Sequence, residues 1–345
     1  MTLADKLIKE HTLTKEEYIE LLNHWGDPEL KEKLRMEANR LRRQYYGDGI
    51  FVRGLIEFTN ICKNNCYYCG IRRENANVKR YRLTKEEILE CCDYGYELGF
   101  RTFVLQGGED GYYTDEKVVD LVSTIKKKYP DCAVTLSIGE KTYESYKAYR
   151  EVGADRYLLR HETACEAHYN MLHPDNMKLS TRLQCLRNLK TLGYQTGAGF
   201  MVGSPNQTMS TIADDLVFLQ ELKPEMVGIG PFIPHHDTCF ANEPAGSVDF
   251  TLFLLSVIRI MLPKVLLPAT TALGTMDEHG REKGILHGAN VIMPNLSPLK
   301  NRKQYELYDN KICTGEEAAD SIKSLEKRVA TVGCHIVYGR GDYAG

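Results

Sequence analysis

The spacing of apolar positions changes near residue 50. Before it, Leu7, Ile8, Tyr18, Leu21, Leu22, Leu34 and Leu41 recur at helical intervals among charged residues, which predicts amphipathic helices over residues 1–46. Thr14 followed by Glu17 reads as a capping box at one helix start. From residue 50 onward, short apolar runs stand at 51–59, 101–108, 133–139, 156–162, 196–203, 226–233, 264–271 and 290–295. Helical stretches lie at 84–98, 115–128, 142–151, 180–191, 210–221, 249–262 and 277–286. Eight strand–helix units in succession predict an α/β fold, a complete (βα)8 barrel with an N-terminal helical extension. The alternative is an open doubly wound sheet; eight units without a long inserted domain favour closure. The expected divisions are an extension over 1–49, a barrel over 50–312, and a C-terminal helix and tail over 313–345. The closing YGRGDYAG reads as a frayed end.

A parallel barrel carries its chemistry where the strands end, and polar residues crowd there. Thr59, Asn60 and three cysteines follow the first run, Gln106 to Asp110 the second, and Ser137 and Glu140 the third. Arg160, His161, Glu162 and Thr163 close the fourth. His235, His236 and Asp237 follow the sixth, Thr270 and Thr271 the seventh, and Asn295 the eighth. Arg53 and Arg156 are charges inside apolar runs, costly unless paired or meeting a ligand. Glu57 and Glu162 are the candidate partners.

Hydrophobic residues make up 43% of the 345, enough for a large core, and 44 basic residues nearly cancel 47 acidic ones. Nothing in that balance points to nucleic acid. No apolar segment follows the first residue as in a secretory leader. No apolar run reaches the ~18 residues of a membrane span; FTLFLLSVIRIMLP is interrupted by Arg259 and reads as a buried helix. A cytoplasmic protein is expected. The 11 cysteines are odd in number and mostly scattered, so they form no disulfide framework.

Cys62, Cys66 and Cys69 are the exception. They stand in CKNNCYYCG with CxxxCxxC spacing, and Tyr68 precedes the last. Zinc prefers four tetrahedral ligands, and no fourth thiolate stands at a suitable spacing. An iron–sulfur cubane held by three thiolates leaves one iron open to a small molecule. A zinc or iron–sulfur scaffold or carrier is the non-enzymatic alternative.

The CxxxCxxC loop after a first barrel strand resembles the radical S-adenosylmethionine (SAM) enzymes. QGGED at 106–110 is similar to their glycine-rich stretch after the second strand. Longer segments, among them IEFTNICKNNCYYCGIRRENANVKRYRLT, GADRYLLRHETA, LGYQTGAGFMVGSPNQT, MVGIGPFIPHHDT and LPATTALGT, resemble the HydE family of FeFe-hydrogenase maturases, beside biotin synthase and methylornithine synthase. The resemblance implies a 4Fe–4S cluster on the three cysteines, its fourth iron open to SAM, and reductive cleavage to a 5′-deoxyadenosyl radical. It implies SAM contacts from Tyr68, Gln106, Gly107, Gly108, Glu109, Thr135, Ser137, Arg160, Glu162, Arg182 and Met201. Arg53, Arg156, Thr270, Thr271, Met293, Tyr305 and Tyr308, with Gln106, become cavity residues for a small anionic or iron-bound sulfur substrate. An electron donor and other hydrogenase maturation proteins become partners. On the residues alone, Thr270 and Thr271 read as helix caps.

Two departures stand out. Some HydE proteins carry a second cluster on C-x7-C-x2-C; here Cys313 is followed by Ser321 and Ser324, so no second cluster is expected. His235-His236 replaces the more usual His-Pro. Two loop histidines suggest a metal but lack a third ligand, and read as solvent-facing.

Overall fold

A computed structural model describes residues 2–312 and 318–345, with backbone alone for 318–321. Three helices open it, Leu3–Glu10, Lys15–Asn23 and Pro28–Tyr46. Thr14 and Glu17 form the expected capping box. These helices pack on the outer helical ring: Tyr18 donates to Gln220 Oε1 at 2.9 Å, and His11 Nδ1 lies 2.6 Å from the Ile260 carbonyl.

The strands are β1 (Gly49–Val52), β2 (Gly54–Thr59), β3 (Thr102–Gly107), β4 (Ala133–Ser137), β5 (Arg156–Leu158), β6 (Gln195–Ala198), β7 (Met201–Val202), β8 (Met226–Val227), β9 (Gly230–Pro231), β10 (Val291–Ile292) and β11 (His335–Val337). Parallel pairing runs β2-β3-β4-β5-β6-β8. The 264–271 run forms no regular strand, yet it places Leu266 beside Met226 and Pro268 beside Val291 in parallel bridges. β10 then pairs with β1 in parallel, and Asn295 bridges Leu55. All eight expected runs therefore join one parallel circle, the (βα)8 barrel. The helix expected at 277–286 is Gly280–Leu286, and Thr271–Met276 and Glu166–Leu172 are added ones. The Val248–Met261 helix is buried nearly all round. Arg259 is tolerated in it because its guanidinium donates to the carbonyls of Gly288 and Pro263, both at 2.9 Å, and to Asn290 Oδ1 at 3.2 Å. Among the described residues no helix is long and apolar enough to cross a membrane.

The C-terminal segment corrects two expectations. It is not frayed: β11 pairs with β1, and residues 340–344 dock across the N-terminal ends of the strands. The Arg340 carbonyl accepts from Arg156 Nη2 at 2.7 Å and Thr102 Oγ1 at 2.8 Å. Asp342 pairs with Arg156 at 2.7 Å and accepts from Gln195 at 2.9 Å. The Gly341 carbonyl takes a hydrogen bond from Arg53 at 3.3 Å. Arg53 and Arg156 thus serve the barrel floor, and the partner of Arg156 is Asp342, not Glu57 or Glu162. Arg156 opens β5 and Arg53 precedes β2, so their side chains meet the tail at the strand starts.

Burial works against ionisation of Asp342, but hydrogen bonds from Arg340 and Gln195 and the Arg156 charge outweigh it and hold the carboxyl at about 2. Its folded value lies below its unfolded one, so its contribution is full above about pH 4 and is lost as pH falls toward 2. Asp342→Asn should lower unfolding free energy at pH 7 by about 1–2 kcal/mol, a modest value because the carboxylate is half-exposed. It should also flatten the loss of stability between pH 4 and 2. Urea melts across that range check both; unchanged curves would mean the docked tail contributes nothing.

Candidate active site

Strand register sets the site. Glu57 pairs level with Gln106, and Gln106 with Ser137; two residues nearer the floor, Leu55, Val104, Thr135 and Arg156 form the next rung. Glu57 stands four residues beyond Arg53, roughly 13 Å along the strand. Above that level lies a cavity of about 210 Å³. It brings together Tyr68, Cys69, Gln106, Arg160, Glu162, Met201, Thr270, Thr271, Met293 and Tyr308. Tyr305 is buried in the wall, where Gln106 Nε2 donates to its hydroxyl at 3.4 Å. A larger hollow of about 580 Å³ among the N-terminal helices holds none of these groups.

The loop carrying Cys62, Cys66 and Cys69 has no helix or strand. Arg80 shapes it by donating to the carbonyls of Asn60, Ile71, Arg72 and Asn75 at 2.6–3.0 Å. Asn60 adds bonds to the carbonyls of Lys79 and Gln304, and Asn75 to that of Gly70. The Gly107–Glu109 turn packs directly on it. A Cβ at Gly108 would lie 2.3 Å from the Ile61 carbonyl oxygen, so only glycine allows the approach. Glu109 N–H points at Cys62 Sγ, 3.4 Å away. The Glu109 carboxylate lies over Gly139, where a Cβ would collide with it, accepts the Glu140 N–H at 3.0 Å and pairs with Lys63 at 3.2 Å.

The cavity wall holds buried polar atoms that make no hydrogen bond, as other parts of the fold also do. Arg160 Nη2 and Glu162 Oε2 pair at 3.0 Å in a geometry that makes no hydrogen bond, and Arg160 Nε is buried without any partner. Glu162 adopts a left-handed φ of 65°, uncommon for a residue with a side chain. Arg182 is committed to Glu140 at 2.5 Å and the Arg160 carbonyl at 2.8 Å. The Thr135 hydroxyl, one rung below the cavity, is also unpartnered. Thr270 is the N-cap residue of Thr271–Met276 but makes no capping bond, and its hydroxyl is buried unpaired; the capping role is not what its side chain does. Tyr68 is held by His173. Burial pushes the His173 pKa down to about 3, so the ring is neutral. Its Nδ1 donates to the Tyr169 carbonyl at 3.0 Å, leaving Nε2 to accept from the Tyr68 hydroxyl at 3.3 Å.

Three contributors were missed in the sequence. Lys311 and Glu57 form a buried ion pair in the cavity wall, with Asn295 donating to the other Glu57 oxygen at 2.8 Å. Glu57 carried a signal, a charge inside an apolar run, but was read only as a candidate partner for Arg53 or Arg156. Lys311 and Arg80 lie in irregular polar segments that offered none.

Comparison with known proteins follows this geometry. A profile of the Radical SAM superfamily matches residues 56–219. The FeFe hydrogenase maturase subunit HydE of Thermotoga maritima is 49% identical over 308 residues, 89% of this chain and 88% of that protein. The chain belongs to the HydE family of radical SAM enzymes. The 3-methylornithine synthase of Methanosarcina barkeri is 31% identical over 334 residues, 96% of this chain and 93% of that protein. The crystal structure of methylornithine synthase (PylB) superposes with a TM-score of 0.82 at 28% identity, covering 97% of each chain. Membership implies a 4Fe–4S cluster and SAM, and the residues fit them. Among the described residues, Cys62, Cys66 and Cys69 do not converge within 4.8 Å as ligands of a single ion would; a cluster takes one iron per sulfur. Burial pushes all three thiols up, Cys69 to about 12, because it disfavours the thiolate form.

Arg80→Ala should release the four carbonyls and leave at most about half the wild-type iron after anaerobic reconstitution, since a ligand loop tolerates only small displacements. Arg73→Ala, on the same loop with its side chain exposed, should keep full iron. Colorimetric iron per chain separates them; equal loading would show that the guanidinium does not set the loop.

Proposed function

We propose that Cys62, Cys66 and Cys69 hold a 4Fe–4S cluster whose remaining iron takes SAM, and that the enzyme helps to build the diiron site of the FeFe-hydrogenase H-cluster. Bound together, the two cofactors supply one-electron cleavage of the sulfonium to a 5′-deoxyadenosyl radical. The observation that carries this reading is the meeting, in one cavity, of Cys69 with the Arg160–Glu162 ion pair and the unpartnered Thr270 hydroxyl. Arg160 offers donors to a carboxylate, and Glu162 an acceptor to an ammonium or hydroxyl group. Arg182 and Glu140 hold the Arg160 backbone in place. The Gly107–Glu109 turn brings main chain against the cluster loop. Thr135 and Ser137 stand on neighbouring rungs, and Tyr68 and Met201 close the side toward Phe232.

The substrate is small, contains sulfur and is bound to iron. Thr270, Thr271, Met293, Tyr305 and Tyr308 surround it, and Lys311 with Glu57 adds a paired charge. Arg53 and Arg156 have no place in this contact set, being held by the tail. An electron donor and other maturation proteins are the partners. No second cluster belongs to the reading, since Ser321 and Ser324 offer no thiolate; Cys313 and the side chain of Ser321 lie outside the described residues. The likeness to 3-methylornithine synthases supports a second reading, rearrangement of an amino acid in the same cavity.

Anaerobic assay of 5′-deoxyadenosine tests the proposal. Cys62→Ala should abolish release, and Glu162→Gln should weaken SAM binding about tenfold or more, the loss of one charge-assisted contact. Thr270→Val should leave SAM cleavage within about threefold but slow hydrogenase maturation at least about tenfold. Consumption of L-lysine with formation of an isomeric amino acid would favour the second reading. Release of nucleoside by Cys62→Ala at the wild-type rate would contradict both.

A further inference from the structure

The sequence leaves His235 and His236 as loop histidines short of a third ligand, and the fold supplies one. Asp309, from the segment that also carries Leu307, Tyr308 and Lys311 into the cavity wall, lies 2.7 Å from His236 Nδ1 and 4.0 Å from His235 Nε2. Ligand atoms of all three residues fall within 4.8 Å of one another. We propose that His235, His236 and Asp309 form a second metal site, separate from the cysteine loop, for one divalent first-row transition-metal cation of the zinc or cobalt class.

Three observations support it. Two imidazoles and one carboxylate match borderline metals and not calcium or magnesium, which take oxygen ligands. The far nitrogen of His236 faces a carboxylate: Asp237 Oδ2 lies 3.3 Å from Nε2, and Asn77 holds Asp237 Oδ1 at 2.8 Å. A carboxylate behind a ligating histidine fixes the tautomer that leaves the near nitrogen free for metal. The two loops are already joined, with His236 N–H on Asp309 Oδ2 at 3.0 Å and Asp309 N–H on the Pro234 carbonyl at 3.1 Å. Gly70 packs directly on the buried His235 ring, where a Cβ would stand 2.6 Å from Nε2. His236 is exposed, so water completes the coordination.

Binding has a structural consequence. Metal–ligand bonds of about 2.0–2.1 Å require the three groups to draw closer than they stand. His235 must also give up the hydrogen bond that its Nδ1 accepts from the Asp237 N–H at 3.1 Å. The closing movement draws the Leu307–Lys311 wall toward the 234–238 loop, so the site tightens one side of the cavity.

The test uses cluster-reconstituted protein, dialysed anaerobically against cobalt(II), with cobalt and iron per chain measured by mass spectrometry. The expected result is one cobalt per chain in excess of that bound by His236→Gln or Asp309→Asn, with affinity reduced at least about tenfold in either variant. Iron should stay equal in all three proteins, which keeps this outcome separate from any failure of the cluster reading. Equal cobalt in wild type and variants, an adventitious ion only, overturns the proposal, as does cobalt gained at the expense of iron. Cobalt-edge X-ray absorption of the wild type decides the case if a variant fails to fold. Two imidazoles in the coordination shell support the site, and sulfur ligation overturns it.

Discussion

The cysteine loop has no backbone ladder of its own, so its shape has to come from side chains that reach its carbonyls. One guanidinium does most of this. Arg80 takes four carbonyls from both ends of the loop, and a planar fork with five fixed donors is suited to that work where a lysine is not. Everything else in the site is placed against the shape that results. The Gly107–Glu109 turn can approach only because Gly108 lacks a side chain, and Glu109 settles over Gly139 for the same steric reason. The sulfurs end in a buried setting that raises their pKa values, an environment in which thiolates persist when iron supplies the countercharge.

The barrel separates its charged residues by height. Near the floor, Arg53 and Arg156 are buried guanidinium groups, and the tail answers them with two carbonyls and a carboxylate. Near the mouth, Arg160 and Glu162 pair with each other at 3.0 Å, while Arg160 Nε and the Thr270 hydroxyl keep no partner. The same physical cost of burying polar groups therefore has two resolutions in one fold. At the floor the tail answers the guanidinium groups and leaves Arg53 Nε without a partner; at the mouth the polar groups line a closed space.

Much of this was legible in the sequence because periodicity and strand-end chemistry are local signals. Helices such as Asp115–Lys128 fall where the apolar spacing put them, and Gln106, Arg160, Glu162, Thr270 and Thr271 from the run ends converge on one cavity because a parallel barrel gathers those ends. What was hidden depends on contacts between distant segments without period. Lys311 reaches Glu57 across 254 positions, and Asp309 joins His236 across 73. The RGD tail looked frayed because nothing in a glycine-rich polar stretch announces the arginines it meets. Thr270 looked like a cap because its position is a cap; only the missing bond shows that the hydroxyl is free.

The most direct measurement is an electron paramagnetic resonance spectrum of the reduced, anaerobically reconstituted protein, with and without SAM. A cluster on Cys62, Cys66 and Cys69 with one open iron predicts a reduced 4Fe–4S signal whose g-values shift when SAM is added. A signal of that cluster unchanged by saturating SAM, or no cluster signal at full iron loading, would contradict the open site from which the proposed chemistry follows.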